Sequence, residues 1–101
     1  MIMAIMAVFT GKVTAAEYDA VRKATDWEGN PPQGGVLHVA GFDEQGDLHI
    51  TDIWESMDDF QAFAQNHLGP VMEKLKVTMP DAAFYPIRNV NAYPAITAHL
   101  V

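Results

Sequence analysis

One acid, three large aromatics and one histidine carry most of the chemistry this chain offers, and their spacing brings three of them, Asp52, Trp54 and His67, together. In "DLHITDIWESMDDFQAF", residues 47–63, Asp52 and Trp54 alternate along one stretch, and His67 follows in "HLGPVMEKL". Alternation of period two puts Asp52 and Trp54 on one face of a strand, with Ile50 before them. At 100° per residue Phe60, Phe63, Ala64, Leu68 and Val71 form an apolar helix stripe, and His67 falls near its centre. From the helix start His67 is about 15 Å along the axis, which equals roughly four to five strand residues counted back from Trp54. A helix antiparallel to that strand therefore sets His67 beside Ile50 and Asp52. An inward carboxylate next to an inward imidazole is suited to general acid–base work: His67 takes or gives the proton and Asp52 orients the ring. Trp54, Ile50, Phe63 and Tyr85 would then wall an aromatic ligand. Each residue also has a plain structural reading. A lone histidine on an apolar face tolerates partial burial, and a tryptophan at a strand end fills space. Asp52 is the hardest to explain as packing, since a buried carboxylate needs a partner.

The elements that position these residues are legible one by one. Residues 2–9 are an unbroken apolar run of strand length, apolar at both parities, so both faces of that strand need cover. Thr14-Ala15-Ala16-Glu17 is a capping box that opens a first helix reaching about Asp26. "EGNPPQGG", residues 28–35, is a loop. "VLHVAGF" and "DLHITDIWE" around "DEQG" predict a hairpin. Pairing Phe42 with Asp47 puts Leu37, Val39, Gly41, Leu48, Ile50, Asp52 and Trp54 on the helix-covered face, and His38, Ala40, His49, Thr51 and Ile53 on the other. Ser56, with Asp59 three residues on, caps a second helix running to about Leu68, where Gly69 and Pro70 impose a kink or a fresh turn. "DAAFYPIRNV" is a last strand, whose Pro86 marks an edge or a bulge. Strand, helix, strand, strand, helix, strand is the ferredoxin-like α+β arrangement, an antiparallel sheet with both helices on one face. Its uncovered apolar face predicts a homodimer stacked sheet to sheet.

Composition bounds the rest. The chain of 101 residues suits one domain over residues 1–101, with 91–101 as an apolar tail for the dimer interface. Thirteen acids against six bases give a net charge of −7, which disfavours nucleic acid and anionic membrane as partners. With no cysteine, disulfides, thiolate metal sites and a cysteine nucleophile are excluded, and a cytoplasmic location is expected. "MIMAIMAVF" lacks a basic n-region and a cleavage pattern and is too short to span a bilayer. His38 and His49 share a face in this register, but spacing fixes no third metal ligand. No phosphate-binding glycine loop, GxSxG or HExxH is present.

The segments "GGVLHVAGFDEQGDLHITDIWESMDDFQAF" and "HLGPVMEKL" resemble the dimeric α/β-barrel superfamily, and more narrowly small bacterial proteins related to antibiotic-biosynthesis monooxygenases. The resemblance spans roughly residues 2–90 as an order of elements, and "WES" is its motif. It implies stacked ferredoxin-like subunits, with a small aromatic or polyketide-like substrate between sheet and helices. It also implies a cofactor-independent oxygenase or related proton transfer on a small hydrophobic molecule, without a bound cofactor or metal. Two further readings stand beside it: a non-catalytic ligand-binding or structural dimer, and a haem-binding protein with His67 as axial ligand. The sequence departs from the oxygenase pattern at Ile50, where an Asn accompanies the Trp. It departs from the haem-degrading pattern in its wholly apolar first strand and in His67, one helical turn later than the ligand histidine.

Overall fold

The computed structural model describes residues 3–101; Ile2, the start of the predicted first strand, lies outside them. Strand β1 is Ile5–Gly11, and helix α1, Ala15–Thr25, follows. Strands β2, Gly35–Phe42, and β3, Leu48–Trp54, form the hairpin. Helix α2, Met57–Phe63, passes through a π-helical turn at Ala64–Leu68 into helix α3, Gly69–Leu75, and strand β4 is Asp81–Pro86. The order in the sheet is β2-β3-β1-β4, with all neighbours antiparallel. This is the ferredoxin-like arrangement the sequence predicts. No helix of the described residues is long and apolar enough to cross a membrane.

The helix starts form for the reasons read from the sequence. The Thr14 hydroxyl accepts from the Glu17 amide at 3.1 Å while the Glu17 carboxylate accepts from the Thr14 amide at 2.9 Å, so two amides without helical partners are satisfied reciprocally. The Ser56 hydroxyl accepts from the Asp59 amide at 3.1 Å. Asp26 ends α1 in the left-handed region.

Ile5, Ala7 and Phe9 of β1 face the helices and pack with Trp54 and Phe60 in one cluster. Val13, Val21, Leu48, Met72 and Val77 form a second, and Ile50 touches both. Full burial of a side chain such as Leu48 stabilises the fold by about 2 kcal/mol.

The hairpin register differs by one residue from the expected one. Gly46, at φ 82°, follows a turn in which its amide bonds the Asp43 carbonyl at 2.9 Å, and the Asp43 amide bonds the Asp47 carbonyl at 3.0 Å. This is a three-residue loop closed by Asp43 opposite Asp47, with glycine in the left-handed position it requires. Asp43 reinforces it by accepting the Gln45 and Asp47 amides on one carboxylate oxygen. Phe42 therefore faces Leu48, and His38 faces Asp52. Since strand side chains alternate, the shift moves His38 and Ala40 to the helix face and Val39 to the outer face. A bulge between Gly35 and Leu37 absorbs the offset at the other end.

The second departure is in the helix. Pro70 has no amide to donate to Asn66, and the Gly69 amide instead reaches the Ala64 carbonyl, five residues back. A π turn inserts one residue into the helical repeat. Leu68 and Met72 line the cavity, Val71 stays packed on the second core cluster, and His67 turns out to solvent.

The outer sheet face carries Met6, Val8, Val39, Ile53 and Tyr85, with Tyr85 and Val39 exposed. Beyond β4 the chain ends in a 3-10 helix, Pro94–His99, among exposed apolar side chains including Val90, Tyr93 and Leu100.

Candidate functional site

Between the sheet and the helices lies an apolar cavity of about 230 Å³, lined by Phe9, Trp27, Leu48, Ile50, Leu68 and Met72 among others. Its polar groups converge from three elements. β3 supplies Asp52, which is 7% exposed. β2 supplies His38, whose Nδ1 is 2.6 Å from Asp52 Oδ1. α1 supplies Tyr18, whose hydroxyl is 2.7 Å from His38 Nε2. Trp54 Nε1–H donates to the other Asp52 oxygen at 3.2 Å. The network fixes the tautomer. A carboxylate only accepts, so His38 must donate from Nδ1, and Nε2 is left to accept from the Tyr18 hydroxyl. The Tyr18 and His38 ring planes lie within 3° of parallel. Trp27 covers the imidazole with its centroid 5.0 Å away and also packs on Tyr18.

Burial pushes the Tyr18 phenol up to about 12, and the negative charges of Asp52 and Glu28 add to the effect, while Arg22 opposes it. At neutral pH Tyr18 is therefore a donor. Arg22 donates to Glu28 from Nε and Nη2, one to each carboxylate oxygen, tying α1 to the loop that carries Trp27. That bond holds the Glu28 carboxyl below its ordinary range.

The predicted site residues separate into two groups. Asp52, Trp54, Ile50 and Phe63 line the cavity together, and Trp54 packs on Phe60 and Phe63 with ring centroids 5.5 Å apart in both pairs. His67 does not meet Asp52: the π turn leaves it exposed, outside the cavity lining, touching Phe63 at 6.0 Å between centroids. The imidazole at Asp52 belongs to His38, which the expected register put on the far face. Tyr85 is on the outer face opposite Met6, 50% exposed and away from the cavity. His38 and His49 face opposite ways, and His49 bonds Asp43 at 2.8 Å. Among the described residues no three His, Cys, Asp or Glu side chains cluster to hold a metal ion. His67, the haem ligand that the sequence offers, lies outside the cavity lining. Tyr18 and Trp27 enter the site unannounced by any motif.

No protein-family model matches the chain, and no curated protein matches it in sequence. Solved structures do. The chain is similar to a candidate antibiotic biosynthesis monooxygenase from Chloroflexus aurantiacus, at 12% identity and a TM-score of 0.65 over 88% of this chain and 97% of that one. It is similar to SnoaB, a cofactor-independent oxygenase from Streptomyces nogalater, at 19% identity and a TM-score of 0.55 over 91% and 96%. A monooxygenase of Streptomyces coelicolor, in complex with nanaomycin D, matches at 17% identity and a TM-score of 0.56 over 91% and 93%. At these identities the likeness establishes the fold alone, a ferredoxin-like α+β subunit.

Proposed function

We propose that this chain binds an aromatic small molecule in the cavity between sheet and helices and acts on it as a cofactor-independent monooxygenase-like enzyme. The observation that carries the reading is the Asp52–His38 pair at the wall of an otherwise apolar cavity. Proton transfer needs an acceptor whose charged form is stabilised where it arises. His38 takes a proton from an acidic O–H or C–H of the ligand at Nε2, and Asp52 holds the imidazolium through Nδ1. The ligand anion is electron-rich and supplies the electrons that reduce dioxygen, so no bound cofactor enters. Trp54, Ile50 and Phe63 hold the ring system. In this reading the acid–base role expected of His67 passes to His38, and Tyr85 belongs to an interface. A second copy stacks on Met6, Val8, Val39, Ile53 and Tyr85, with residues 91–101 packing at its border, and the dimer works in the cytoplasm. The cofactor-independent oxygenase and the nanaomycin D complex among the structural neighbours support this direction.

A second reading, a non-catalytic ligand-binding dimer, is favoured by one observation: among the described residues every buried side-chain polar atom already has a partner. Oxygen uptake with anthrone, an enolisable aromatic ketone, separates the two. The enzyme reading predicts uptake above the uncatalysed rate that falls by about 100-fold in His38→Ala and is unchanged in His67→Ala. Binding without uptake leaves the second reading.

A further inference from the structure

His38 Nε2 is the acceptor on which the proposed chemistry turns, and in the resting molecule it is occupied. The occupant is itself a phenol, Tyr18, held at 2.7 Å with its ring parallel to the imidazole and lining the same cavity. We propose that Tyr18 is a built-in competitor of the cavity's ligand: its hydroxyl stands in for the hydroxyl of a planar hydroxyarene and yields His38 Nε2 to it by exchange, so it limits how tightly such a ligand is held.

Three observations support the exchange. The bond is a neutral one between side chains of different elements, so it is lost by rotation of one tyrosine without unfolding any backbone. The His38 side chain is 31% exposed and sits on the sheet's edge strand, so a displaced Tyr18 hydroxyl has water within reach. Burial pushes the Tyr18 phenol up to about 12, so it leaves Nε2 as a neutral hydroxyl and carries no charge into the exchange. A ligand with no O–H leaves Tyr18 in place and gains only apolar contact. A ligand with an O–H takes over the bond to Nε2 and adds its apolar contact with the cavity wall. The proton balance is neutral on binding, since each hydroxyl keeps its own proton and only the partner of Nε2 changes.

The inference rests on the cavity being a ligand site, and the test separates the two failures. Binding of 1-naphthol, 1-methoxynaphthalene and naphthalene to the full chain is followed by tryptophan fluorescence, for wild type and Tyr18→Phe. In wild type, 1-naphthol should bind a few-fold more tightly than 1-methoxynaphthalene, which has no proton to give. In Tyr18→Phe the competitor is gone, and 1-naphthol should tighten by about five- to tenfold, the equivalent of one neutral hydrogen bond. Naphthalene should stay within about twofold in the same comparison, and its binding shows that the variant is folded. The additional substitution His38→Phe should abolish the naphthol preference. Equal changes for all three probes in Tyr18→Phe, or weaker naphthol binding, overturn the role of Tyr18 while leaving the cavity as a site. Failure of every probe to bind wild type overturns both.

Discussion

Asp52→Asn tests the drawn network most sharply, because it changes charge with almost no change in shape. Asp52 is 7% exposed and accepts from His38 Nδ1 at 2.6 Å and from Trp54 Nε1 at 3.2 Å. A hydrogen bond to a charged acceptor contributes about 1 kcal/mol more than a neutral one, and the partly exposed His38 side of the pair is discounted for solvent. The expected loss is about 1–2 kcal/mol, or roughly 5–15 °C in Tm for a domain of this size. The amide also has one acceptor and two donor hydrogens where the carboxylate had only acceptors. Trp54 can only donate, so it takes the amide oxygen, and the NH2 group is turned toward His38 Nδ1. His38 must then carry its proton on Nε2 and donate to Tyr18, the reverse of the wild-type tautomer, and its capacity to accept a proton there is gone. Urea unfolding gives the first number, and nitrogen-15 NMR of the imidazole gives the tautomer. Stability unchanged to within about 0.5 kcal/mol, together with an unchanged Nδ1–H tautomer, would refute the network, since such changes lie within those of neutral surface substitutions.

Tyr18 should titrate late, at about 12, in the ultraviolet phenolate band, and Tyr18→Phe should remove that component. A phenol whose folded pKa is raised stabilises the fold below its unfolded value of about 10, and that contribution is lost as pH rises from there through about 12. Gly34→Ala should destabilise the chain by about 1–2 kcal/mol or more, because Gly34 sits at φ 80° and an added Cβ meets the Asp59 side chain from its Cβ to its carboxylate; Asp59→Ala in the same chain should recover only the carboxylate's share, since its Cβ stays in contact. Val8→Lys puts a charge in the middle of the outer sheet face, and sedimentation should show a wild-type dimer that becomes a monomer in the variant. A monomer in both would remove the proposed interface.

Much of the fold was legible in local chemistry. Thr14 with Glu17 and Ser56 with Asp59 mark both helix starts because their hydroxyls satisfy amides three residues on, whatever surrounds them. The alternation of Leu48, Ile50, Asp52 and Trp54 assigns β3 correctly, since one face of it is buried. The site partner was misread for two reasons that act over a single residue each. "DEQGD" closes as a three-residue loop once Gly46 takes a positive φ, and a loop shorter by one flips the facing of every β2 side chain, His38 included. The pattern Asp43 through Gly46 carried that signal, a turn ending on glycine. The π turn before Pro70 then rotated His67 out of the stripe that a uniform 100° step gave it. Tyr18 had no periodicity or motif to announce it; only the path of α1 over the sheet edge brings its hydroxyl to His38.

Which imidazole belongs to the cavity is measured directly by a nitrogen-15 NMR titration of the histidine side chains with 1-naphthol. The predicted result is a saturable shift of His38 Nε2, with Nδ1 still protonated and with His67 and His49 unmoved. A saturable shift of His67 with His38 unchanged would contradict it.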